Sequence, residues 1–408
     1  MSVGEVSRGD GRSRRADFPV AAPAHRSQTP ALPNISKGPE TFWLRRANLK
    51  VDQQERLSLK VEPMPDAMAV QQSTTTFDTS GVAGGQLGSP VETGRRPRLS
   101  ATFRDPDITA NGERRAHVEL KALETVWFNT GTLCNLTCEN CYIESSPTND
   151  RLVYLTREEV RRFLAEAAAL EPPPAEIGFT GGEPFVNPEI LGMIEDSLAA
   201  GCRALVLTNA MKPMQRLKAA LCGLNERFPG RLTLRVSLDH YEAAGHERLR
   251  GPRSWQRTID GLLWLASSRF NISVAGRTIW SETEASMRAG YGALFAKLNL
   301  TIDANDPSHL VLFPEMKADE DVPEITELCW GILGKRPDSV MCASSRMVIK
   351  RKGADRPTVV SCTLLPYDGA FELGASLAEA AQPVKLNHRY CARFCVLGGA
   401  SCSPHGAR

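Results

Sequence analysis

Between about residue 122 and residue 315 the chain predicts an α/β fold around a parallel sheet. Three observations carry that expectation. Six short apolar, β-rich runs alternate with helix-patterned segments, the rhythm of strands joined by crossover helices. The helical segments carry start and stop signals. The loops after the first two runs are rich in cysteine and glycine, at the strand ends where such sheets bind ligands.

The elements follow in order. Thr125-Val126-Trp127-Phe128 reads as the first strand and leads straight into the cysteine loop. Thr156-Arg157-Glu158-Glu159 has the form of a capping box. The helix behind it runs to about Leu170 and stops at Pro172-Pro173-Pro174. Ile177-Gly178-Phe179 is the second strand. A helix from about Pro188 to Ala200 ends at Gly201, a fitting residue after a helix C-terminus. Ala204–Leu207 is the third strand, followed by a helix near Met214 to Leu224. Leu232–Val236 is the fourth, with a helix over Ser254–Ser267 behind it. Ile272–Ala275 is the fifth. Ser281-Glu282-Thr283-Glu284 offers a second capping box, for a helix ending near Leu298. Leu310–Phe313 is the sixth strand.

The flanks read differently. Residues 1–115 are rich in Pro, Gly, Ser, Thr and Arg, with weak periodicity. They bury too little apolar surface to offset their ordering entropy, so a largely disordered extension is expected. Only Leu57–Val61 alternates like a strand, and a start codon further along the chain is the bland alternative. The tail, 319–408, holds Cys329, Cys342, Cys362, Cys391, Cys395 and Cys402. Two β-prone runs, Arg346–Lys350 and Thr358–Val360, flank Lys352-Gly353-Ala354-Asp355 and predict a hairpin with a cysteine at each base. The expected division is therefore 1–115, 116–318 and 319–408.

Bulk properties exclude several classes. Lys and Arg number 49 against 47 Asp and Glu, a net charge of +2, which gives no drive toward nucleic acid or an anionic membrane. No apolar run approaches the ~18 residues of a spanning helix, and Arg14-Arg15 lacks the apolar stretch of an export signal. Eleven cysteines in a long chain suit metal ligation in a reducing cytoplasm better than a secreted disulfide framework.

The chemistry concentrates in Cys134-x3-Cys138-x2-Cys141. Clustered thiolates hold zinc or an iron–sulfur cluster. A zinc ribbon wants paired C-x2-C knuckles, which this spacing does not supply, and a structural zinc site closes with four ligands. Three ligands leave one coordination position open. Thr180-Gly181-Gly182-Glu183-Pro184 follows the second strand. Its glycines let backbone approach a ligand closely, and a carboxylate there can pair with an ammonium group.

A C-x3-C-x2-C loop after strand one, with GGEP after strand two, resembles the radical S-adenosylmethionine (SAM) superfamily, over about residues 122–315. The resemblance implies a partial (β/α)6 TIM-like barrel and a [4Fe–4S] cluster on Cys134, Cys138 and Cys141. It implies SAM bound at the remaining iron and cleaved to a 5′-deoxyadenosyl radical that takes hydrogen from a substrate. By the same resemblance Gly181, Gly182 and Glu183 hold the methionyl amino group, and Ser237 lies near the ribose or carboxylate. Thr208 with Asn209, and Arg277, are further candidate contacts. His246–Gly251 also matches a segment of this branch. One departure stands out: the residue before the third cysteine is usually aromatic and lies along the adenine, whereas here it is Asn140, with Tyr142 two positions on.

The tail resembles the SPASM/twitch extension, a small cysteine-rich domain that holds auxiliary [4Fe–4S] clusters. It implies one auxiliary cluster on four cysteines, Cys342 and Cys362 with two of Cys391, Cys395 and Cys402, and Cys329 as a spare. Structural zinc or buried thiols are the alternatives. Cys202 and Cys222 read as core. Asp239 and His240 suit capping better than acid–base work, and no catalytic acid or base is assigned. His388 is a candidate outer support for Cys391, and Arg157, Arg161 and Arg162 read as a solvated helix face. The resulting expectation is a radical SAM enzyme, with an electron donor such as flavodoxin or ferredoxin, that modifies a peptide or protein side chain. Small-molecule biosynthetic chemistry is the alternative, and a non-enzymatic iron–sulfur electron carrier is the third reading.

Overall fold

A computed structural model describes residues 102–315, 321–399 and 401; the Leu57–Val61 run and Cys402 lie outside these. Nine strands form one sheet: β1 (Thr125–Asn129), β2 (Glu176–Thr180), β3 (Arg203–Thr208), β4 (Leu232–Ser237), β5 (Asn271–Arg277), β6 (Leu310–Phe313), β7 (Ser345–Ile349), β8 (Thr358–Val360) and β9 (Glu372–Gly374). Their spatial order is β9-β8-β7-β1-β2-β3-β4-β5-β6. The ladders from β1 to β6 are all parallel, so the six expected strands form a partial barrel, open between β6 and β9.

Strand β1 is buried at all five positions, as befits a central strand covered on both faces. Trp127 stands opposite Gly178 and Phe128 opposite Phe179. The Phe128 and Phe179 rings stack at 5.8 Å. Gly178 is a packing requirement: a Cβ there would lie 2.3 Å from the Trp127 ring.

Six longer helices cover the sheet: α1 (Arg157–Ala168), α2 (Ile190–Ala199), α3 (Lys218–Arg227), α4 (Ala243–Arg250), α5 (Ser254–Ser267) and α6 (Glu284–Lys297). In α1, Val160, Phe163, Leu164 and Ala167 are buried, the spacing of one helical face. Its capping box is closed by both Thr156 and Glu159. Gly201, with φ +94°, follows α2 as expected.

Several local expectations need correction. The helix expected over Met214–Leu224 is broken into a turn at Lys212–Gln215 and then α3. The cap of α6 is Thr283, whose side chain accepts from the Ser286 N–H, because Ser281 takes a positive φ of 61° and stands outside the helix. Arg157 and Arg161 are not merely solvated: both bond Asp196 on α2, at 2.6 and 2.8 Å, and stitch the two helices together. Helix α4 had no place in the sequence reading. Gly245 within it sits where a Cβ would strike the His240 ring at 2.5 Å.

The C-terminal hairpin forms as expected, β7 antiparallel to β8. Its attachment is new. Strand β7 lies parallel to β1, Thr125 opposite Ser345 through Phe128 opposite Val348, so the tail extends the barrel sheet itself.

Candidate functional site

The cysteine loop and the GGEP turn meet at the carboxyl ends of β1 and β2. Gly182 N–H donates to the Gly131 carbonyl at 2.8 Å and Glu183 N–H to the Leu133 carbonyl at 3.2 Å. Both glycines are dictated by this approach. A Cβ on Gly182 would meet the Leu133 oxygen at 2.2 Å, and one on Gly181, whose φ is +137°, the Gly131 oxygen at 2.5 Å. Asn187 locks the entry and exit of the loop by donating to the carbonyls of Thr130 and Leu155.

A single pocket is lined by Cys134, Cys138, Cys141, Gly181, Gly182, Thr208, Ser237 and Arg277, together with Asn209, Asp239 and Arg250. The three cysteines, the GGEP glycines and the other candidate contacts thus share one cavity, contributed by the ends of β1 to β5. Glu183 sits behind that wall, 2% exposed. Its carboxylate accepts the Thr208 hydroxyl and the Asn209 N–H, each at 2.8 Å, and so ties the GGEP turn to the end of β3. Burial nevertheless pushes its pKa up to about 7, against these hydrogen bonds. Asn209 in turn donates to Asn135 at 2.9 Å, which anchors the cysteine loop to the same strand end.

Asp239 and Arg250 form a two-bond ion pair, at 2.7 and 3.0 Å, in the pocket wall. Burial acts to raise the Asp239 pKa, but the arginine outweighs it and holds the carboxyl below its ordinary range. His246 Nδ1 accepts the Asp239 N–H; burial pushes that imidazole down to about 3, so it is neutral. His240 caps as expected: Nδ1 accepts from the Glu242 N–H and Nε2 meets Glu282 at 3.1 Å.

The cysteines and Arg277 test whether the implied groups fit. Burial pushes the Cys134 thiol up to about 12 and raises that of Cys138, so a bound cation has to supply the charge that makes them thiolates. Arg277 is 6% exposed. Its Nη1 donates to the Glu139 carbonyl at 3.1 Å, while Nε and Nη2 are buried without a partner. Two orphaned cationic donors in a cysteine-lined pocket call for an anion, and a sulfide-bearing cluster or a carboxylate-bearing ligand meets that demand. Among the described residues no three Cys, His, Asp or Glu side chains converge on one ion. A four-iron cluster takes one thiolate per iron, so its ligands stand apart. The donor set fits such a cluster.

Asn140 adopts φ +52°, a conformation asparagine tolerates better than an aromatic residue, and its side chain donates to Glu315. Tyr142 lines the pocket, its ring under the Arg277 guanidinium and packed against Phe313 and Phe394, with its hydroxyl on the Pro314 carbonyl. It therefore links the cysteine loop to the C-terminal segment.

That segment gathers a second set. Cys342, before β7, and Cys391 are buried and Cys362, after β8, is half-buried; Cys362 lies close enough to raise the Cys342 thiol, and both raise that of Cys391. Burial is the largest cause, and Cys342 reaches about 12. Cys395 lies one helical turn beyond Cys391 in Cys391–Leu397. The Cys329 sulfur accepts from the Thr326 N–H at 3.4 Å. His388 is held in a packed corner against Phe371 and Tyr390, and burial takes it down to about 4. Cys202 is core, its thiol on the Pro174 carbonyl, and Cys222 packs against the core edge. The sequence reading missed Asn187, the Asn135–Asn209 link and Arg346 beside Cys342; Asn135 lies inside the cysteine motif, but nothing local to it names its partner.

Residues 128–288 match the radical SAM superfamily. A stretch of 163 residues is 29% identical to AdoMet-dependent heme synthase of Methanosarcina barkeri (strain Fusaro / DSM 804), covering 37% of this chain and 42% of that protein. Another, of 232 residues, is 26% identical to GTP 3′,8-cyclase of Pseudomonas fluorescens (strain Pf0-1), covering 56% and 60%. The chain thus spans about half the length of these curated relatives. Among solved structures, Streptococcus suis SuiB bound to S-adenosylmethionine has a TM-score of 0.46 at 11% identity, covering 62% of this chain and 64% of that one. Polyhistidine-tagged anSMEcpe with bound AdoMet has a TM-score of 0.45 at 14% identity, covering 63% and 76%.

Proposed function

We propose, from the premise that residues 128–288 are a radical SAM domain and the chain a radical SAM enzyme, that its target is a peptide or protein side chain. Cys134, Cys138 and Cys141 would hold the [4Fe–4S] cluster at which SAM binds. Gly181, Gly182, Glu183, Thr208 and Ser237 would receive the SAM molecule, with Arg277 meeting an anionic group in the same cavity. The observation that carries this assignment is the shared pocket: the three cysteines and the GGEP glycines, which the sequence separates by 40 residues or more, line one cavity.

When bound, cluster and SAM together supply a 5′-deoxyadenosyl radical that abstracts hydrogen. The chain's own residues do the rest. Glu183 fixes the GGEP turn against β3 and places negative charge beside the expected ammonium site. The Asp239–Arg250 pair keeps the wall charged yet internally compensated. The Tyr142 and Phe313 rings line the pocket, with Phe394 packed against both, a water-excluding surface of the kind a radical requires.

The peptide reading rests on the tail. Cys342, Cys362 and Cys391, with Cys395 or Cys402, form a SPASM/twitch-like site for one auxiliary cluster, which such modules use to anchor a substrate or accept its electron. A second reading, small-molecule chemistry, is favoured by the curated relatives, named for heme synthesis and GTP cyclisation. A short peptide gene beside this one separates the two. The described cysteines are free thiols; a reducing cytoplasm and a flavodoxin or ferredoxin donor belong to this proposal. Among the described residues no helix is long and apolar enough to cross a membrane.

The test is anaerobic reconstitution with iron and sulfide counting, followed by a dithionite assay for 5′-deoxyadenosine. About eight irons, by four-iron stoichiometry, together with 5′-deoxyadenosine are expected. Cys134→Ala should abolish the product while retaining the tail's iron. Product formation by Cys134→Ala would sink the assignment, and four irons in the wild type would remove the auxiliary cluster.

A further inference from the structure

Arg346 lies on β7 and is 1% exposed. Its guanidinium donates to four main-chain carbonyls: Nε to Ala380 at 2.8 Å, Nη1 to Cys342 at 2.6 Å and to Ser345 at 2.8 Å, and Nη2 to Gln382 at 3.1 Å. Each of these partners is uncharged. The ionisable groups that act on it among the described residues are the thiols of Cys342 and Cys362.

A buried charge without a counter-ion costs several kcal/mol, and carbonyl dipoles offset only part of that. Methionine or leucine would fill the same interior position without the penalty. The guanidinium is therefore matched to an anion that belongs beside it. The candidates are the sulfurs of Cys342, whose carbonyl the guanidinium bonds at 2.6 Å, and of Cys362, at the other base of the same hairpin; burial raises both thiols.

We infer that Arg346 is the fixed counter-charge of the C-terminal cysteine site and raises the reduction potential of the iron–sulfur cluster held there. The inference rests on the auxiliary-cluster reading given above. Four thiolates leave such a cluster net negative, and each added electron deepens that charge. A permanent cation in a medium of low dielectric favours the reduced form. Reduction takes one electron, from dithionite through mediators in the test below, and involves no proton.

A purely structural role is the competing explanation, since two of the four bonds clip the Ala380–Gln382 turn onto β7. Charge and clip are separable. Arg346→Lys keeps the charge and loses the fork; Arg346→Gln keeps polar bonding and loses the charge. Both are made in the full chain carrying Cys134→Ala, Cys138→Ala and Cys141→Ala, so that the remaining paramagnetic signal belongs to the tail. The midpoint is read by an EPR-monitored redox titration, with iron content as a second readout.

The expected result is a midpoint in Arg346→Lys close to that of the parent. In Arg346→Gln the reduced-to-oxidised ratio at fixed potential should fall at least tenfold, which is about 59 mV for one electron. Loss of the cluster in Arg346→Gln with retention of iron and midpoint in Arg346→Lys supports the same conclusion. Equal shifts in both variants, no shift in either, or loss of the cluster from both would overturn it. A parent with no cluster signal would instead remove the auxiliary-cluster reading beneath it.

Discussion

The Glu183 carboxylate accepts the hydroxyl of Thr208 at 2.8 Å, so the acidic residue of the GGEP turn bonds first to a neighbouring strand. Because it is buried, its pKa rises from 4.5 to about 7. In that interval the folded protein holds a proton that the unfolded chain has released. Glu183 therefore makes stability fall as pH climbs from about 4.5 to about 7, after which its effect is constant. The full effect is about 3 kcal/mol. His246 and His388, whose pKa values are lowered by burial, push stability the other way over an overlapping range. The diagnostic quantity is accordingly the difference between wild type and Glu183→Gln in urea unfolding. That difference should move in the mutant's favour between pH 5 and pH 7.5; a gap independent of pH would show that Glu183 does not titrate there.

Arg250 and Asp239 should prove to be one unit. Arg250→Met strands a carboxylate that is 3% exposed, a loss of about 3–5 kcal/mol for a buried pair broken on one side. Adding Asp239→Asn to that variant should recover part of the loss. Urea unfolding of the two single variants and the double gives the coupling, and strictly additive effects would mean that the pair carries no interaction energy.

Gly178→Ala should cost about 1–3 kcal/mol by overpacking, since the new methyl would fall 2.3 Å from the Trp127 ring. Trp127→Leu in the same chain should relieve much of the clash, though it opens a cavity of its own. Thermal unfolding of both variants decides it, and a neutral Gly178→Ala would mean that β1 and β2 can part without penalty.

Much of the barrel was legible because its signals are local. Apolar runs, Thr156 at a helix start and Gly201 at a helix end are each decided by a few neighbouring residues. The pocket was legible because cysteine and glycine in tight spacing have few other uses. What escaped the sequence was long-range or compensatory. Asp239 pairs with Arg250 only because α4 folds back over the strand end, and Gly245 permits that turn. Thr283 displaced Ser281 as a cap because the backbone at Ser281 goes left-handed. The edge that β7 would join was not readable either, since a hairpin's own pattern says nothing about which strand it will meet.

The β1–β7 ladder has a mechanical meaning. Strand β1 delivers the first cysteine set and β7 carries the second at its base, and main-chain hydrogen bonds run directly between them. The two cysteine sets are joined through this sheet. Any electron passing between them would cross a gap set by sheet geometry, not by the chance approach of two tethered bodies. The same ladder makes the tail a lid on β1: a chain cut before β7 would bare that strand, with its buried Val126, Trp127 and Phe128, as an unpaired edge open to its own copies.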